Sequence, residues 1–309
     1  MRLRQMPHGY ESTFLKTPLV VDEMCGPLAA PLPEQLSGAM TKQDSTGGSA
    51  GPRAAGQEAR SERLAAALKA DSCEIYTDVD GIFTADPRVV KSARKLSHIG
   101  YDEMLELAAV GARVMHPRAV EIGELYSVPI HVRSSFHGGV GTMIVAKVPM
   151  EDRQRVRGIA QEINVAKITV IGVADRPGVA ATIFEPLGKA GISVDVIVQN
   201  IGRSGRTDLT FSVAESDLKA AVKLVRIAAK QVGASRVSSA GGIAKLSIVG
   251  TGMLGMPGIA GRMFRALADA GINIEMISTS EIRITCLVAR DQVEKGVRVL
   301  HKTFELDRA

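Results

Sequence analysis

The feature that most constrains the fold is an internal repeat in the second half of the chain. AKITVIG at 166–172 is matched by AKLSIVG at 244–250, and AGISVDVIVQN at 190–200 by AGINIEMISTS at 270–280. Between them, PGVA (177–180) matches PGIA (257–260), and the offset grows from 78 to 80 residues, which places a two-residue insertion in the second unit. Each unit, 166–241 and 242–309, reads as strand, helix, two strands and helix. This order predicts a small antiparallel sheet with both helices on one face.

The helices of the two units carry the same apolar stripe, which we assign to the core. The stripe consists of Val179, Ile183, Phe184 and Leu187 in the first unit and Ile259, Met263, Phe264 and Leu267 in the second.

The first half divides into an irregular and a regular part. Residues 1–63 hold six of the thirteen prolines and show no sustained periodicity, so we predict irregular or disordered chain there. From Leu64 we predict a helix end (LAAALKA), a short buried strand (CEIYT), a loop (DVDGIFTADPR) and a helix over 101–126 that breaks at His116-Pro117. Residues 129–134 alternate as a strand does, with Ile130 and Val132 inward. Residues 149–165 are expected to form a linker with an extra strand.

Composition excludes several classes of protein. Apolar runs are too short to span a bilayer, and no secretory leader opens the chain. The net charge is only +5, and with no Trp and four Tyr a stacking platform for nucleic acid is not expected. The three cysteines, Cys25, Cys73 and Cys286, lack metal-ligand spacing, which favours a reduced, cytoplasmic setting.

Two motifs leave alternatives open. GTGMLG at 250–255, with Glu275 twenty residues further on, fits a dinucleotide fingerprint, but its repeat partner GVADRPG lacks the glycines. The acidic loop after CEIYT does not match a calcium loop, because position twelve from Asp78 is Val89. Its carboxylates, hydroxyls and Arg88 suit a phosphate, ribose or metal-bound ligand, whereas the plainer interpretation is an Asp-rich turn.

Two long runs resemble a known family. LAAALKADSCEIYTDVDGIFTADPRVVKSARKL and GYDEMLELAAVGARVMHPRAVEIGELYSVPIHVRSSF are similar to the C-terminal half of an aspartate kinase catalytic domain, over 64–148. The repeat resembles the paired ACT domains of that family. The resemblance implies an α/β amino-acid-kinase-type three-layer remnant followed by two ACT-type α+β (βαββαβ) units.

The resemblance also implies an activity. Aspartate kinases transfer the γ-phosphoryl group of ATP, with Mg²⁺, to the β-carboxylate of L-aspartate, on the route to lysine, threonine and methionine. The implied ATP-binding residues are Thr77, Asp78, Phe83, Thr84, Ala85, Asp86, Pro87, Arg88 and Arg113, the last in place of a family lysine.

The ACT units imply feedback by lysine or threonine and a homodimer formed through their sheet edges. The implied effector residues are Asp175, Ala180, Ile192, Ser193, Val194, Asp195 and Gln199 in the first unit, and Ile259, Ala260, Asn273, Ile274, Ser280 and Glu281 in the second. Ser193 replaces an Asn and Ala260 a Thr, so weaker effector binding is expected.

The chain departs from the family before Leu64. It lacks the K-F-G-G-T segment whose lysine and amides stabilise the transferred phosphoryl group, and the R-G-G-S-D segment that normally precedes the LAAALKAD helix. We therefore expect a truncated or frameshifted N-terminus and a chain with little or no kinase activity of its own. The alternative is a non-catalytic regulatory subunit that binds amino acids.

Overall fold

The computed structural model describes residues 2–4, 51–112, 114–149, 155–201 and 205–308. Its first half contains β1 (Arg2–Arg4), α1 (Gly51–Ala67), β2 (Ser72–Thr77), β3 (His98–Gly100), α2 (Tyr101–Ala109), α3 (Pro117–Leu125), β4 (Ile130–Ser134) and β5 (Thr142–Val145). These strands form a mixed sheet in the order β1-β2-β4-β5-β3, in which β2 runs parallel to β4. Together with the second half described below, this arrangement confirms the predicted fold class.

Local sequence signals explain several of these elements. In β4, Ile130 and Val132 are buried whereas His131 and Arg133 are half-buried, as the alternation predicted. The predicted helix break is confirmed, since α3 begins at Pro117, and the Nδ1 atom of His116 caps it by accepting from the Arg118 amide at 3.2 Å. Proline suits this first helical position because its missing N–H would have no partner within the helix.

The prediction of irregular chain through residue 63 needs correction. Helix α1 begins at Gly51, so LAAALKA forms only its last turns, and residues 2–4 pair with β2 as an antiparallel strand. Residues 54–67 are rich in Ala, Arg, Glu and Gln, which favour helix, and Ala59 and Ala65 face the core. The remainder of that prediction, residues 5–50, lies outside the described residues.

The second half repeats one pattern twice. It contains β6 (Gly158–Ala174), α4 (Val179–Lys189), β7 (Val194–Ile201), β8 (Arg206–Val213), α5 (Leu218–Gln231), β9 (Arg236–Val249), α6 (Ile259–Asp269), β10 (Met276–Thr279), β11 (Arg283–Ala289) and α7 (Val293–Thr303). We call the part from α4 to α5 with its strands unit 1, and the part from α6 to α7 with its strands unit 2. Their strands form one antiparallel sheet in the order β10-β11-β9-β6-β8-β7.

The two longest strands are shared between the units. The second half of β6 pairs with the first half of β9 in unit 1, for example Thr169 with Ser238. The first half of β6 pairs with the second half of β9 in unit 2, for example Glu162 with Lys245. The extra strand expected within 149–165 therefore begins at Gly158 and serves as the fourth strand of unit 2, although it precedes unit 1 in the chain.

Each unit has a core between its helices and the sheet, and a separate, smaller cluster lies on the face of the sheet without helices. Ile168 and Phe211 pack under the helices of unit 1, and Leu246 and Ile248 under those of unit 2. A smaller cluster contains Val165, Val196, Ile243, Met276 and Leu287. Val196 and Met276 share this cluster although their strands lie at opposite ends of the ladder. The pairing of β6 with β9 also shifts register between residues 162 and 167, and such irregularities increase the local bend and twist of a strand. The helix-free faces of the two units are thereby brought together.

Candidate functional site

The acidic loop starts where β2 ends, and its base is fixed by a threonine on β5. The Thr142 hydroxyl accepts from the Ile82 amide at 2.9 Å and donates to the Leu96 carbonyl at 2.6 Å. Gly81 has a φ of +138°, and a Cβ there would lie 2.5 Å from this hydroxyl. Only glycine fits this turn, which sets the position of the whole loop.

Part of the loop faces solvent and carries opposite charges. The Thr77 hydroxyl donates to the carboxylate of exposed Asp78 at 3.1 Å. The Asp86 carboxylate accepts from the backbone amide of Arg88 at 2.9 Å and from its guanidinium at 2.8 Å. Hydrogen bonds from Arg88 hold the pKa of Asp86 below its usual value. In turn, the hydrogen bond and charge of Asp86, and to a smaller extent the charge of Asp78, raise the pKa of Arg88. The loop therefore presents a cation between two carboxylates.

Another part of the loop is turned into the protein. Thr84 is fully buried, and its hydroxyl accepts from the Arg94 amide at 3.0 Å and lies 3.0 Å from the Nε2 atom of His301 on α7. Ala85 is 3% exposed and packs in the core of unit 2. The side chains of Thr84 and Ala85 thus hold the loop against unit 2, and only the surrounding positions face outward.

The remaining nucleotide candidates lie nearby. Phe83 is half-buried, and its backbone forms an isolated antiparallel β-bridge with that of Lys95. Pro87 is exposed. His137 was not predicted from the sequence; its Nε2 atom lies 2.7 Å from the carboxylate of Asp80. Arg113 lies outside the described residues.

The acidic loop does not build a metal cage. Within the part of the chain that the structure describes, no group of three or more His, Cys, Asp or Glu side chains is arranged to hold a metal ion. Over the same residues, no helix combines the length and apolar character needed to cross a membrane. Mg²⁺ typically keeps several waters and binds through one or two carboxylates plus substrate phosphates. Exposed Asp78 fits such a role, in which the phosphates would supply the other ligands.

The effector candidates lie at the starts of α4 and α6, in the segments that follow these helices, and in the turn after β10. Both helices follow a Pro-Gly turn, with φ of +91° at Gly178 and +94° at Gly258. The candidates divide by exposure. Asp175, Ala180, Ser193, Asp195, Gln199, Asn273, Ser280 and Glu281 are exposed, Ala260, Val194 and Ile274 are half-buried, and Ile192 and Ile259 are buried.

Ion pairs join the units reciprocally. Lys245 of unit 2, 6% exposed, lies 2.5 Å from the carboxylate of Asp195 in unit 1 and 2.9 Å from that of Glu162. Its repeat counterpart, Lys167, pairs with Glu275 of unit 2. Burial raises the pKa of Asp195, but the hydrogen bond and charge of Lys245 outweigh it and leave the pKa below its usual value.

The two lysines were not predicted from the sequence as ion-pair residues, although the internal repeat pointed to them. Lys167 aligns with Lys245, and Asp195 aligns with Glu275, within the segments that define the repeat. From these two aligned lysines and two aligned acids, one could have predicted that the lysine of each unit pairs with the acid of the other unit.

The structure argues against the dinucleotide alternative. The strand before GTGMLG, β9, has antiparallel neighbours on both sides, whereas a dinucleotide fold requires parallel strands. Helix α6 begins only at Ile259, and Glu275 is paired with Lys167.

Comparisons with known proteins agree with the two-part architecture. A model of the amino acid kinase family matches residues 56–134, and an ACT domain model matches 168–228 and 246–304. An aspartate kinase of Pseudomonas fluorescens is 47% identical over 253 residues, which cover 82% of this chain and 61% of that protein. The chain thus spans less than two thirds of the length of this relative.

Solved structures extend the likeness to three dimensions. The aspartate kinase of Clostridium acetobutylicum matches with a TM-score of 0.72 and 27% identity, over 80% of this chain and 57% of that one. Aspartokinase III of E. coli in complex with aspartate and ADP matches with a TM-score of 0.67 and 28% identity, over 81% of this chain and 56% of that one.

Proposed function

Because the chain belongs to the aspartate kinase family and carries C-terminal ACT domains, we propose that it is the nucleotide-loop and regulatory portion of an aspartate kinase. The family reaction is the ATP-dependent phosphorylation of L-aspartate to 4-phospho-L-aspartate. The observation that carries the proposal is the combination of the loop over Thr77–Arg88 with two complete ACT-type units in one chain. E. coli aspartokinase III has been solved with aspartate and ADP, and also with lysine and aspartate.

The chain's own residues support a nucleotide-positioning role for the loop. Arg88 can pair with phosphate oxygens, and its bond to Asp86 holds the guanidinium in place until a phosphate competes for it. Asp78 can accept from waters around a nucleotide-bound Mg²⁺. Thr84 and Ala85 contribute by fixing the loop rather than by contact.

Catalysis by this chain alone is expected to be weak or absent. Phosphoryl transfer depends on positive groups that stabilise the charge of the moving phosphoryl. The family's K-F-G-G-T segment provides such a lysine, and the 309 residues contain no copy of it. A purified chain that releases ADP rapidly in the presence of aspartate would refute this part of the proposal.

The ACT units are proposed to bind lysine or threonine at the Pro-Gly turns before α4 and α6. Helix N-termini suit the effector carboxylate, and exposed acids such as Asp175 suit an ammonium group. Exposed Ile197 on edge strand β7 and exposed Ile277 on edge strand β10 support dimerisation through the units. Buried, free Cys73 and Cys286 fit the reduced cytoplasmic setting expected from the sequence.

The alternative, a purely regulatory subunit, is favoured by the same absence of K-F-G-G-T. Calorimetric titration separates the two. A kinase portion is expected to bind a non-hydrolysable ATP analogue with Mg²⁺ and also lysine or threonine, whereas a regulatory subunit need bind only the amino acid. If both amino acids and the nucleotide analogue fail to bind to the folded chain, the proposed function is wrong.

A further inference from the structure

The two ACT units differ in how they contact the part of the chain that precedes β6 and carries the acidic loop, which we call the nucleotide half. The core of unit 1 consists of residues between Ala166 and Val237. The core of unit 2 includes Ala85 and Val90 of the nucleotide half, and the core of the nucleotide half includes Ala160 and Val249 from the strands of unit 2. The hydrophobic cores therefore interlock on the side of unit 2.

Unit 2 is held by the nucleotide half from both faces of its sheet. On the helix side, the acidic loop reaches α7 through Thr84 and His301, 3.0 Å apart. On the other face, Ala160 of β6, which pairs with Ser247, lies in the same core cluster as Leu107 of α2. The hydroxyls of Ser247 and Thr285 there are 2.8 Å apart and fully buried. The equivalent pair in unit 1, Thr169 and Thr210, is 3.0 Å apart and only half-buried.

One carboxylate ties α2 to the effector region of unit 2. Glu106 on α2 lies 2.7 Å from the guanidinium of Arg283 and accepts from the Ser280 hydroxyl at 3.0 Å. Ser280 begins the turn between β10 and β11, and Arg283 is the first residue of β11. The turn contains two effector candidates, Ser280 and Glu281. Glu106 and Arg283 are mostly buried, with side-chain exposures of 23% and 17%, so their attraction is less screened than that of a surface pair.

We propose that unit 2, rather than unit 1, transmits effector binding to the nucleotide half, and that Glu106 is the positioning residue that links α2 to the β10–β11 turn. This inference rests on the proposed function for its ligand. Whatever moves the turn must either move α2 with it or break two bonds to one carboxylate. One turn earlier in α2, the Glu103 carboxylate accepts from the backbone amide of Thr251 at 2.8 Å. The helix is thus attached to unit 2 at two successive turns.

Hydrogen exchange of the full chain, read by mass spectrometry, tests the link without any ligand. Glu106→Gln is expected to speed exchange over 276–289 about tenfold, because losing the charge that binds Arg283 and Ser280 makes local opening of this segment easier. Exchange over 194–213 in unit 1 should not change. Glu121→Gln, at an exposed position of α3, is the matched control and should change neither segment. Arg283→Lys keeps the charge but loses the planar fork, and should give a smaller effect in the same direction.

Addition of L-lysine or L-threonine tests the transmission itself. In the wild type, the amino acid that binds by calorimetry should change exchange over 101–109. In Glu106→Gln, the amino acid should still bind but the change in α2 should shrink. Binding that leaves α2 unaffected in the wild type overturns the inference, as do equal effects of Glu106→Gln on both units. If neither amino acid binds, the proposed effector binding fails, while the ligand-free comparison still decides the link.

Discussion

A buried ion pair at the start of α2 allows the contact between the two halves of the chain to be tested by stability. Glu103 is 1% exposed and Arg157 is 2% exposed, with the Arg157 Nε atom 3.5 Å from the Glu103 carboxylate. The same carboxylate accepts from the Thr251 amide at 2.8 Å and from the Thr251 hydroxyl at 2.7 Å. One negative charge therefore faces the Arg157 guanidinium, just before β6, and accepts two hydrogen bonds from the loop before α6.

Glu103→Gln is expected to be strongly destabilising. The amide side chain keeps the shape but removes the charge, and its NH₂ group must face donors on at least one side. Breaking a buried pair by neutralising one partner leaves the other charge uncompensated, at a cost of about 3–5 kcal/mol. For a domain of 150–250 residues, each kcal/mol lowers the melting temperature by about 2–4 °C, so a drop of about 10 °C is expected.

Thermal unfolding followed by circular dichroism measures this effect. The control is Glu185→Gln on α4, whose carboxylate is 66% exposed and lies 4.0 Å from Lys189. Such an exposed pair is worth less than about 0.5 kcal/mol, so the control should melt with the wild type.

A double variant, Glu103→Gln with Arg157→Met, removes the charge that the single variant leaves uncompensated, while the amide oxygen can still accept from Thr251, and should recover part of the loss. The reasoning fails if Glu103→Gln melts with the control, or if the double variant is less stable than the single one.

Four further predictions concern pH and backbone geometry. Burial raises the pKa of Glu62 from 4.5 to about 8, and such an acid loses its contribution to stability as the pH rises between these values. Glu62→Gln should therefore raise the melting temperature at pH 8 but not at pH 4.5, and equal changes at both would contradict this origin. Burial lowers the pKa of His301 below 6.5, although the charge of Asp307 opposes this shift. Protonation of His301 therefore favours the unfolded chain, and stability should fall as the pH drops below 6.5. In His301→Gln the melting temperature should depend less on pH in that range. A Cβ on Gly111, where φ is +110°, would lie 2.2 Å from the Gln161 carbonyl oxygen, so Gly111→Ala should cost about 1–3 kcal/mol in denaturant unfolding. Gly188→Ala in α4, where a Cβ meets no atom of the described chain within 4 Å, should instead stabilise by about 0.5–1 kcal/mol.

Patterns confined to one element were predictable from the sequence. The alternation of Ile130 and Val132 fixed both the strand and its buried face, because neighbouring side chains on a strand point to opposite sides. The repeat predicted two helices and a strand pair in each unit, since matched apolar spacings require matched elements. In both cases the information lies within a few turns or strand residues.

Features that depend on distant contacts were not predictable in the same way. The sequence before Leu64 lacked periodicity, yet α1 extends back to Gly51. The repeat could not show that the fourth strand of unit 2 begins at Gly158, because that segment precedes both repeated units. Strand pairing across this distance is set by the edge that β9 offers, and no local pattern encodes it.

The candidate site illustrates the same division. Thr84 and Asp86 stand two residues apart in one loop, and the resemblance assigned both to the nucleotide. The structure buries Thr84 against His301 and leaves Asp86 with Arg88 at the surface. Which side of a loop faces inward depends on what packs against it, here a helix more than two hundred residues further along the chain.

The interlocked cores give this arrangement a functional consequence. Ala85 and Val90 complete the core of unit 2, while Ala160 and Val249 complete the core of the nucleotide half. Close-packed interiors transmit small displacements because their side chains have no free volume into which to relax. A shift in unit 2 therefore changes the packing under the acidic loop directly, whereas a shift in unit 1 must first pass through the shared strands β6 and β9. Regulation through unit 2 thus follows from where the apolar side chains lie as well as from Glu106.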